Sequence, residues 1–365
     1  MTIGMYVIGV AMHPAKVKVA DKRLEEMVYD TARACLDGAG IERRLLDHVT
    51  IAGCDELDGR SISSMLLAAP SGAYLKDELK ATDSGMHGLC LEATRLGSGR
   101  FDLGLVVSWC KTSTAPLEDV MRMRCDPFFT RPIGLNMSIA DALLARASAE
   151  SIGCTEEQAA AAAAAYLRQA ARNPRGTRPP PVSPDQLLAS PYVAAPLRAG
   201  HQAPPTDGAV ALLMASERWV EANSNVRPLA RMSGIAWRVD SYQLGARRLS
   251  SLDAVRGAFA AAARQAGIDD AAALDVIELE AQTGYHDLAL RHALAIADAV
   301  AVSPSGGPFA QNPYFCTGLV GAAEAVLQVA GRAGPVQVPG ARRAAAVGLC
   351  GFAAQSAAVA IFEGA

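Results

Sequence analysis

Hydrophobic and polar positions follow three successive patterns along the chain. In the first, from about Met5 to Lys111, short runs rich in Val and Ile alternate with segments whose apolar residues recur at helical spacing. These patterns predict strands at Tyr6–Ala11, His48–Gly53 and Leu103–Trp109, and helices at Arg23–Ala39 and from Ser84-Gly85 through Leu96. Such an alternation of strands and helices indicates an α/β fold with a largely buried sheet.

The middle of the chain has a different pattern, which predicts an insertion or lid. The alanine run Ala159–Ala165 predicts a helix, because alanine is the best helix former. Thr155 and Gln158 form a capping box just before this run. Prolines between Pro174 and Pro205 indicate irregular chain that crosses the surface.

The last pattern, from about Arg227 to Ala365, again alternates strands and helices as the first does. It predicts strands at Leu229–Val239, Asp275–Ala281, Asp298–Ser303, Ala344–Cys350 and Ser356–Phe362, and helices at Leu252–Ala266, His286–Ala297 and Gly318–Ala330. The repeated order suggests two halves of one duplicated α/β unit, although no strict sequence repeat accompanies it.

The composition indicates a folded, core-rich protein and argues against nucleic acid as a partner. Of the 365 residues, 51% are hydrophobic and 19% are charged, so the chain can bury a large core. The formal net charge is −3 and no block of like charge stands out, whereas a phosphate-backbone binder shows a basic face. Aromatic residues make up only 5%, which argues against base stacking.

The eight cysteines are scattered without a CxxC pair, a spacing typical of neither a zinc site nor a small secreted disulfide framework. Reduced thiols in a cytoplasmic protein without a metal are the simplest interpretation. The N-terminal residues carry no positive charge before their apolar stretch and predict a first strand, not a signal peptide. Gly, Gln and Ser interrupt the longest apolar runs, so no membrane span is expected.

Three stretches resemble the thiolase superfamily, and within it the sterol-carrier-protein type of thiolase. Thr206–Glu217 and Ala171–Arg198 resemble the end of the family's loop domain, and Ser303–Gly318 resembles its C-terminal glycine-rich loop. The resemblance covers almost the whole chain and implies a five-layered α-β-α-β-α fold from two duplicated halves with a loop or lid insertion. It divides the chain into an N-terminal half (1–111 plus 203–226), a loop domain (112–202) and a C-terminal half (227–365).

The position that carries the family's nucleophile is changed. The family uses a cysteine thiolate at a strand-to-helix turn to take the acyl group. Thr82 stands there, followed by Asp83 and Ser84. A threonine hydroxyl has a far higher pKa than a thiol and needs a strong adjacent base; Ser84 is an alternative nucleophile. A purely structural interpretation is that these three residues cap the following helix.

The family's second functional position, an Asn or His that helps to hold the thioester oxygen, corresponds to Glu280. A carboxylate cannot donate to an oxyanion unless it is protonated, but it can serve as a general base. A plain strand-end glutamate is the structural alternative. Gln282 stands where the sterol-carrier type has its second cysteine.

The two remaining functional positions correspond to Asn312 and Cys350. Asn312 replaces the histidine of a Gly-His-Pro turn; it can donate a hydrogen bond but cannot shuttle a proton near neutral pH. Its structural alternative is a helix cap. Cys350 lies at or near the late cysteine that other thiolases use as an acid or base, and its alternative is a small buried hydrophobic residue.

Other polar side chains are expected near the same pocket. Tyr285, His286 and Asp287 follow Glu280 within a helical turn or two, Tyr314 and Cys316 lie in the glycine-rich loop, and His87 lies one turn into the helix after Thr82. A thiolase-like branch that cleaves steroid side-chain acyl-CoAs by retro-aldol chemistry uses active-site tyrosines, and this resemblance draws attention to Tyr285 and Tyr314. A tyrosine or histidine that simply packs in the core is the alternative.

Two functions follow from the resemblance. The first is an enzyme that makes or breaks a carbon–carbon bond in an acyl-CoA without a covalent acyl-cysteine, by acyl transfer, retro-Claisen or retro-aldol chemistry. Coenzyme A would enter as part of the substrate, with no tightly bound cofactor. The second is a non-catalytic subunit that binds CoA esters and pairs with an active thiolase-like protein or a small OB-fold, zinc-ribbon protein. A homodimer is expected in either case, and Glu280 and Asn312 are expected to face one cavity.

Overall fold

The computed structural model describes residues 4–365, so the first three residues of the predicted N-terminal half lie outside it. The strands are β1 (Met5–Met12), β2 (His48–Gly53), β3 (Asp77–Thr82), β4 (Leu103–Lys111), β5 (Tyr192–Ala194), β6 (Leu197–Arg198), β7 (Asp207–Ser216), β8 (Ala230–Val239), β9 (Val276–Leu279), β10 (Ala301–Val302), β11 (Arg343–Cys350) and β12 (Ser356–Gly364). The α-helices are α1 (Leu24–Ala39), α2 (Asp55–Asp58), α3 (Ser64–Leu67), α4 (Gly85–Gly97), α5 (Leu117–Met123), α6 (Met137–Ile152), α7 (Glu156–Arg172), α8 (Pro184–Leu188), α9 (Glu217–Ala222), α10 (Ala246–Ser251), α11 (Asp253–Ala266), α12 (Gly284–Ala293), α13 (Gly307–Ala310) and α14 (Thr317–Val329).

Ten of these strands form one sheet in the order β10-β9-β11-β12-β8-β1-β7-β4-β2-β3. In the N-terminal half, β4 pairs in parallel with β2 and antiparallel with β7. In the C-terminal half, β11 pairs in parallel with β9 and antiparallel with β12, so the two halves have the same topology. The first strands, β1 and β8, meet in the middle at three residue pairs. The predicted duplication is therefore confirmed at the level of topology.

The helices complete five layers around the two halves of the sheet. Helices α4 and α14 pack against each other between the halves, while α1 covers β1 and β7 and α11 covers β8 and β12. Strands β2, β4 and β7 are nearly continuous buried runs; in β4, eight of nine residues are buried. Strands that are buried on both faces belong to a sheet that is covered by helices on each side. The predicted fold class is confirmed.

The middle of the chain folds as helices that lie against the C-terminal half. Helix α7 contains the alanine run and begins at the predicted capping box of Thr155 and Gln158. It packs closely on α12, because a Cβ at Gly284 would lie 2.0 Å from the carbonyl oxygen of Ala159. Among the described residues, no helix is long and apolar enough to cross a membrane.

Three predicted elements of the C-terminal half differ from the structure. The strand predicted at Asp275–Ala281 is limited to β9, and the one at Asp298–Ser303 is limited to the two residues of β10. The helix predicted at His286–Ala297 starts earlier because the Thr283 hydroxyl accepts the backbone N–H of His286 and caps α12. Beyond β9 the chain leaves the sheet, and Glu280 and Gln282 line a cavity.

Candidate active site

A cavity of about 300 Å³ lies where β9 and β11 end and where the turn after β3 leads into α4. Its wall contains polar side chains from both halves and from the middle of the chain. They are Asp83, Ser84, Arg124, Asp141, Tyr242, Glu280, Gln282, His286, Tyr314, Cys350, Gln355 and Ser356. A largely pre-formed concave site with converging titratable groups is the usual form of an enzyme active site.

Glu280 lies one residue after β9 and is almost fully buried. Its Oε2 accepts the backbone N–H of Leu349 at 2.8 Å. Burial raises the pKa of Glu280 to about 8, and the hydrogen bonds from Leu349 and Gln282 offset only part of that rise. Gly318 makes room for the carboxyl, because a Cβ there would lie 2.8 Å from Oε2. Glu280 can thus hold or release a proton near neutral pH.

His286 lies in the first turn of α12 and is neutral, because burial lowers its pKa to about 4. The Thr283 hydroxyl, which accepts the His286 backbone N–H, lies 3.0 Å from Nδ1 and can donate its own proton there. When the Thr283 hydroxyl donates to Nδ1, the imidazole carries its own proton on Nε2. That atom lies 3.6 Å from Oδ1 of Asp141, whose pKa burial raises to about 8. His286 therefore presents an N–H donor to the cavity.

Tyr314 and Cys350 lie beside Glu280 in the same wall. Burial raises the pKa of the Tyr314 phenol well above its usual value, with Asp141, Glu280 and Cys350 as charged or ionisable neighbours. The phenol is therefore an O–H donor. Burial also raises the pKa of the Cys350 thiol to about 12, so this cysteine is not a thiolate at neutral pH.

The turn after β3 contributes an ion pair that the sequence did not predict. Asp83 accepts a hydrogen bond from Arg124, which follows α5 in the middle of the chain. Cys54, Glu56 and Asp83 bring candidate metal-ligand atoms within 4.8 Å of one another. However, Arg124 already places a guanidinium on Asp83 and 3.7 Å from the sulfur of Cys54. This trio is therefore arranged around an arginine and does not fit a metal ion.

Of the six predicted catalytic residues, the cavity brings together Glu280, His286 and Cys350. Asn312 does not line it, so the prediction that it faces the cavity with Glu280 is wrong. The Asn312 amide is paired with the amide of Gln282, at 3.0 and 2.8 Å, and also accepts the hydroxyl of Thr317. Gln282 therefore lies between Asn312 and the cavity, and both polar atoms of the Asn312 amide are already bonded.

The two other predicted residues also lie away from the cavity lining. Thr82 is exposed at the end of the edge strand β3. Tyr285 does not line the cavity and packs in an apolar cluster with its ring 5.6 Å from that of His201. Neighbouring residues on a helix face different directions, which explains why Tyr285 and His286 separate. The catalytic role of every residue in the predicted set stays a prediction.

Several secondary candidates are also placed by the structure. Ser84 lines the cavity and caps α4 through the N–H of His87. The His87 ring reaches the cavity-lining Ser356 hydroxyl at 2.9 Å. Asp287 instead binds the Tyr166 hydroxyl and Arg291 outside the cavity lining. Cys316 is completely buried, and burial raises the pKa of its thiol.

Comparison with known proteins supports the fold. No protein-family model matches the chain. Over 344 residues it is 25% identical to an acetyl-CoA acetyltransferase of Methanothermobacter thermautotrophicus, in an alignment that covers 88% of this chain and 90% of that protein. Among solved structures, human mitochondrial 3-ketoacyl-CoA thiolase matches with a TM-score of 0.81 and 16% identity over 99% of this chain and 98% of that one.

The same human enzyme in complex with CoA also has a TM-score of 0.81 and 16% identity, over 100% of this chain and 99% of that one. The structure of an Ltp2-ChsH2(DUF35) aldolase matches with a TM-score of 0.82 and 16% identity over 99% of this chain and 98% of that chain. At these identities the solved structures establish the architecture. The chain has the thiolase fold, as the sequence predicted.

Proposed function

We propose that this protein acts on an acyl-CoA thioester and makes or breaks a carbon–carbon bond beside the thioester carbonyl without a covalent acyl-cysteine. The observation that carries the proposal is that Glu280, His286 and Tyr314 line one cavity. Within that cavity the Cys350 thiol is held protonated, and Thr82 does not line the cavity. The names of the similar proteins, which include an acetyltransferase, a thiolase with CoA and an aldolase, support this substrate class.

In this proposal Glu280 exchanges a proton with the carbon next to the thioester carbonyl. In the condensation direction the carboxylate removes that proton; in the cleavage direction the carboxylic acid returns it after the carbon–carbon bond has broken. Negative charge then develops on the thioester oxygen. Tyr314 and Nε2 of His286 supply the O–H and N–H donors that stabilise it, and a general base with such donors is the usual requirement for this chemistry.

The test is deuterium exchange, which needs no second substrate. The protein is incubated with acetyl-CoA or propionyl-CoA in D₂O, and deuterium at the α-carbon is followed by mass spectrometry. We expect exchange well above the uncatalysed rate. Glu280→Gln should slow it by about 10²- to 10⁴-fold, the usual contribution of a general base.

Glu278→Gln is the matched control, because Glu278 lies two residues earlier on β9, is equally buried and has a pKa that burial also raises to about 8. Its carboxyl is bonded by Ser305 and does not line the cavity. The control should exchange at the wild-type rate. Exchange no faster than in buffer, or equal losses in both variants, would remove Glu280 from the proposed role.

A homodimer is part of the proposal and has its own structural support. β3 is an edge strand of the sheet, and edge strands are normally covered or protected. Four large apolar side chains in the segment leading to β3 are between 54% and 86% exposed, namely Ile62, Met65, Tyr74 and Leu75. A second copy pairing at this edge would cover them. Light scattering at micromolar concentration should give the dimer mass, and a stable monomer would contradict it.

The alternative function is a non-catalytic subunit that binds CoA esters within a complex. It is favoured by the displacement of Thr82 and Asn312 from the cavity lining and by the name of the similar aldolase, which includes a second component, DUF35. The partner in this alternative is a small OB-fold or zinc-ribbon protein. Native mass spectrometry of the protein purified from its own cells would detect such a stoichiometric partner. A partner together with no α-proton exchange would favour this alternative.

A further inference from the structure

The turn after β3 holds a carboxylate that the proposed reaction does not use. Asp83 lines the cavity, and its Oδ2 accepts a hydrogen bond from Arg124. Its other oxygen, Oδ1, is buried and has no hydrogen-bond partner anywhere in residues 4–365. Nearly all buried polar atoms in proteins are bonded, so an exception on a cavity wall indicates a place where a ligand supplies the bond.

The backbone conformation at Asp83 supports a functional role for this carboxylate. Its φ is 73°, in the left-handed region that costs most residues energy and that Gly, Asn and Asp enter most easily. Unfavourable backbone of this kind persists where surrounding contacts hold it, and it is concentrated at functional sites. At Asp83 the contacts are the ion pair to Arg124 and the Ser84 cap of α4.

Arg124 is itself held in place and is the cationic partner of Asp83. Its guanidinium lies 5.6 Å from the centre of the Phe315 ring. Burial raises the pKa of Asp83, but Arg124 opposes that rise. The other two cavity carboxyls, Asp141 and Glu280, have pKa values of about 8 because burial dominates. The ion pair with Arg124 favours the carboxylate form of Asp83, and a carboxylate can only accept hydrogen bonds.

The free oxygen belongs to a side chain that lines the same cavity as the proposed reaction centre. Asp83, Glu280 and Cys350 all contribute to the wall of this cavity of about 300 Å³. In the proposed function the acyl part of the substrate occupies this cavity, so a ligand group that reaches Asp83 belongs to that part. Because Arg124 already compensates the charge of Asp83, the complementary donor is a neutral O–H and not a second cation.

We propose that Oδ1 of Asp83 accepts a hydrogen bond from a hydroxyl on the acyl group, so that the protein selects hydroxyacyl thioesters over unsubstituted ones. This inference rests on the proposed function, because it assumes that the cavity binds an acyl-CoA. A hydrogen bond to a charged group changes affinity by about 10- to 100-fold. Asp83 is in this view a specificity-determining residue.

Isothermal titration calorimetry tests the inference through binding affinity. The wild-type protein is titrated with butyryl-CoA and with each enantiomer of 3-hydroxybutyryl-CoA. We expect one enantiomer to bind about 10- to 100-fold more tightly than butyryl-CoA. The double variant Asp83→Gly with Arg124→Met removes both charges and suits the left-handed backbone, and its preference should fall to about 1 while butyryl-CoA still binds.

Asp119→Asn is the control, because this exposed aspartate on α5 pairs only loosely with Arg122, at 3.9 Å, and lies outside the cavity lining. It should keep the wild-type preference. Equal binding of the hydroxylated and unsubstituted esters by the wild-type protein would mean that water satisfies Asp83, and would overturn this inference while leaving the proposed function standing. Failure of every ester to bind would overturn both. The wild-type comparison decides the question even if the double variant does not fold.

Discussion

The two walls of the cavity place the same chemical group in different electrostatic environments. On the wall from the C-terminal half, Glu280 is buried beside neutral donors and its pKa rises to about 8. On the wall from the N-terminal half, Asp83 is half-buried and has Arg124 as a partner. The difference shows that burial alone favours a protonated carboxyl, whereas burial with a cation preserves the carboxylate. One cavity can thus contain both an acid and an anion, the condition for separate acid–base roles.

The largest expected effect concerns stability and pH. Glu280 has a folded-state pKa of about 8, above its ordinary value of 4.5. Its contribution to stability is therefore complete below about pH 4.5 and is lost as the pH rises through 8. Between pH 5 and 8 the free energy of unfolding of the wild type should fall by roughly 3 kcal/mol more than that of Glu280→Gln, because the amide of the variant has no proton to lose. Urea unfolding at both pH values measures this, and parallel losses would show that Glu280 is not buried as described.

The second expected effect is the pH dependence of α-proton exchange. Only the carboxylate form of Glu280 can remove a proton, and that form increases about tenfold per pH unit below its pKa. Exchange should therefore rise by roughly 50- to 100-fold between pH 6 and 8 and level off above. Mass-spectrometric exchange rates across this range measure it. A profile that is flat over these two units would assign the proton transfer to another group.

A smaller effect is expected on the opposite wall. Arg124→Met keeps much of the side-chain volume but leaves Asp83 buried without its cation. We expect a loss of about 1–3 kcal/mol in the free energy of unfolding, the usual cost of an unpaired buried polar group. Chemical denaturation at pH 7 measures it. Adding Asp83→Gly should recover part of the loss; if it does not, the ion pair is not the source of the stability.

The smallest expected signal is a covalent adduct, for which we predict none. The Cys350 thiol is protonated because burial raises its pKa to about 12, and Thr82 is exposed outside the cavity lining. Intact-protein mass spectrometry after incubation with an acyl-CoA should therefore show an unchanged mass. A stable acyl group on Thr82, Ser84 or Cys350 would restore a covalent mechanism and make the contrast between the two walls secondary.

Local sequence patterns predicted the α/β class and the order of its elements, and the resemblance to thiolases supplied the five-layered fold and part of the site. Periodic apolar runs predicted the principal strands and helices, because each element must bury one face or both and this requirement acts on neighbouring residues. Glu280 was found because it corresponds to a functional position of the thiolase family, and His286 because it follows Glu280 within a helical turn or two. The limits of β9, β10 and α12 were less accurate, since Thr283 supplies the cap and its effect depends on backbone geometry.

Which polar groups meet depends on long-range packing, which no local pattern contains. Asp83 and Arg124 are 41 positions apart, and their pairing depends on how the middle of the chain lies on the β3–α4 turn. Asn312 was expected to face the cavity with Glu280, but its amide is bonded to Gln282 and Thr317. The protonation states also depend on packing, because desolvation and a neighbouring cation are set by distant segments. Local patterns predict the strand, helix or turn on which a side chain lies. Its hydrogen-bond partners and its charge depend on the packing of distant segments around it.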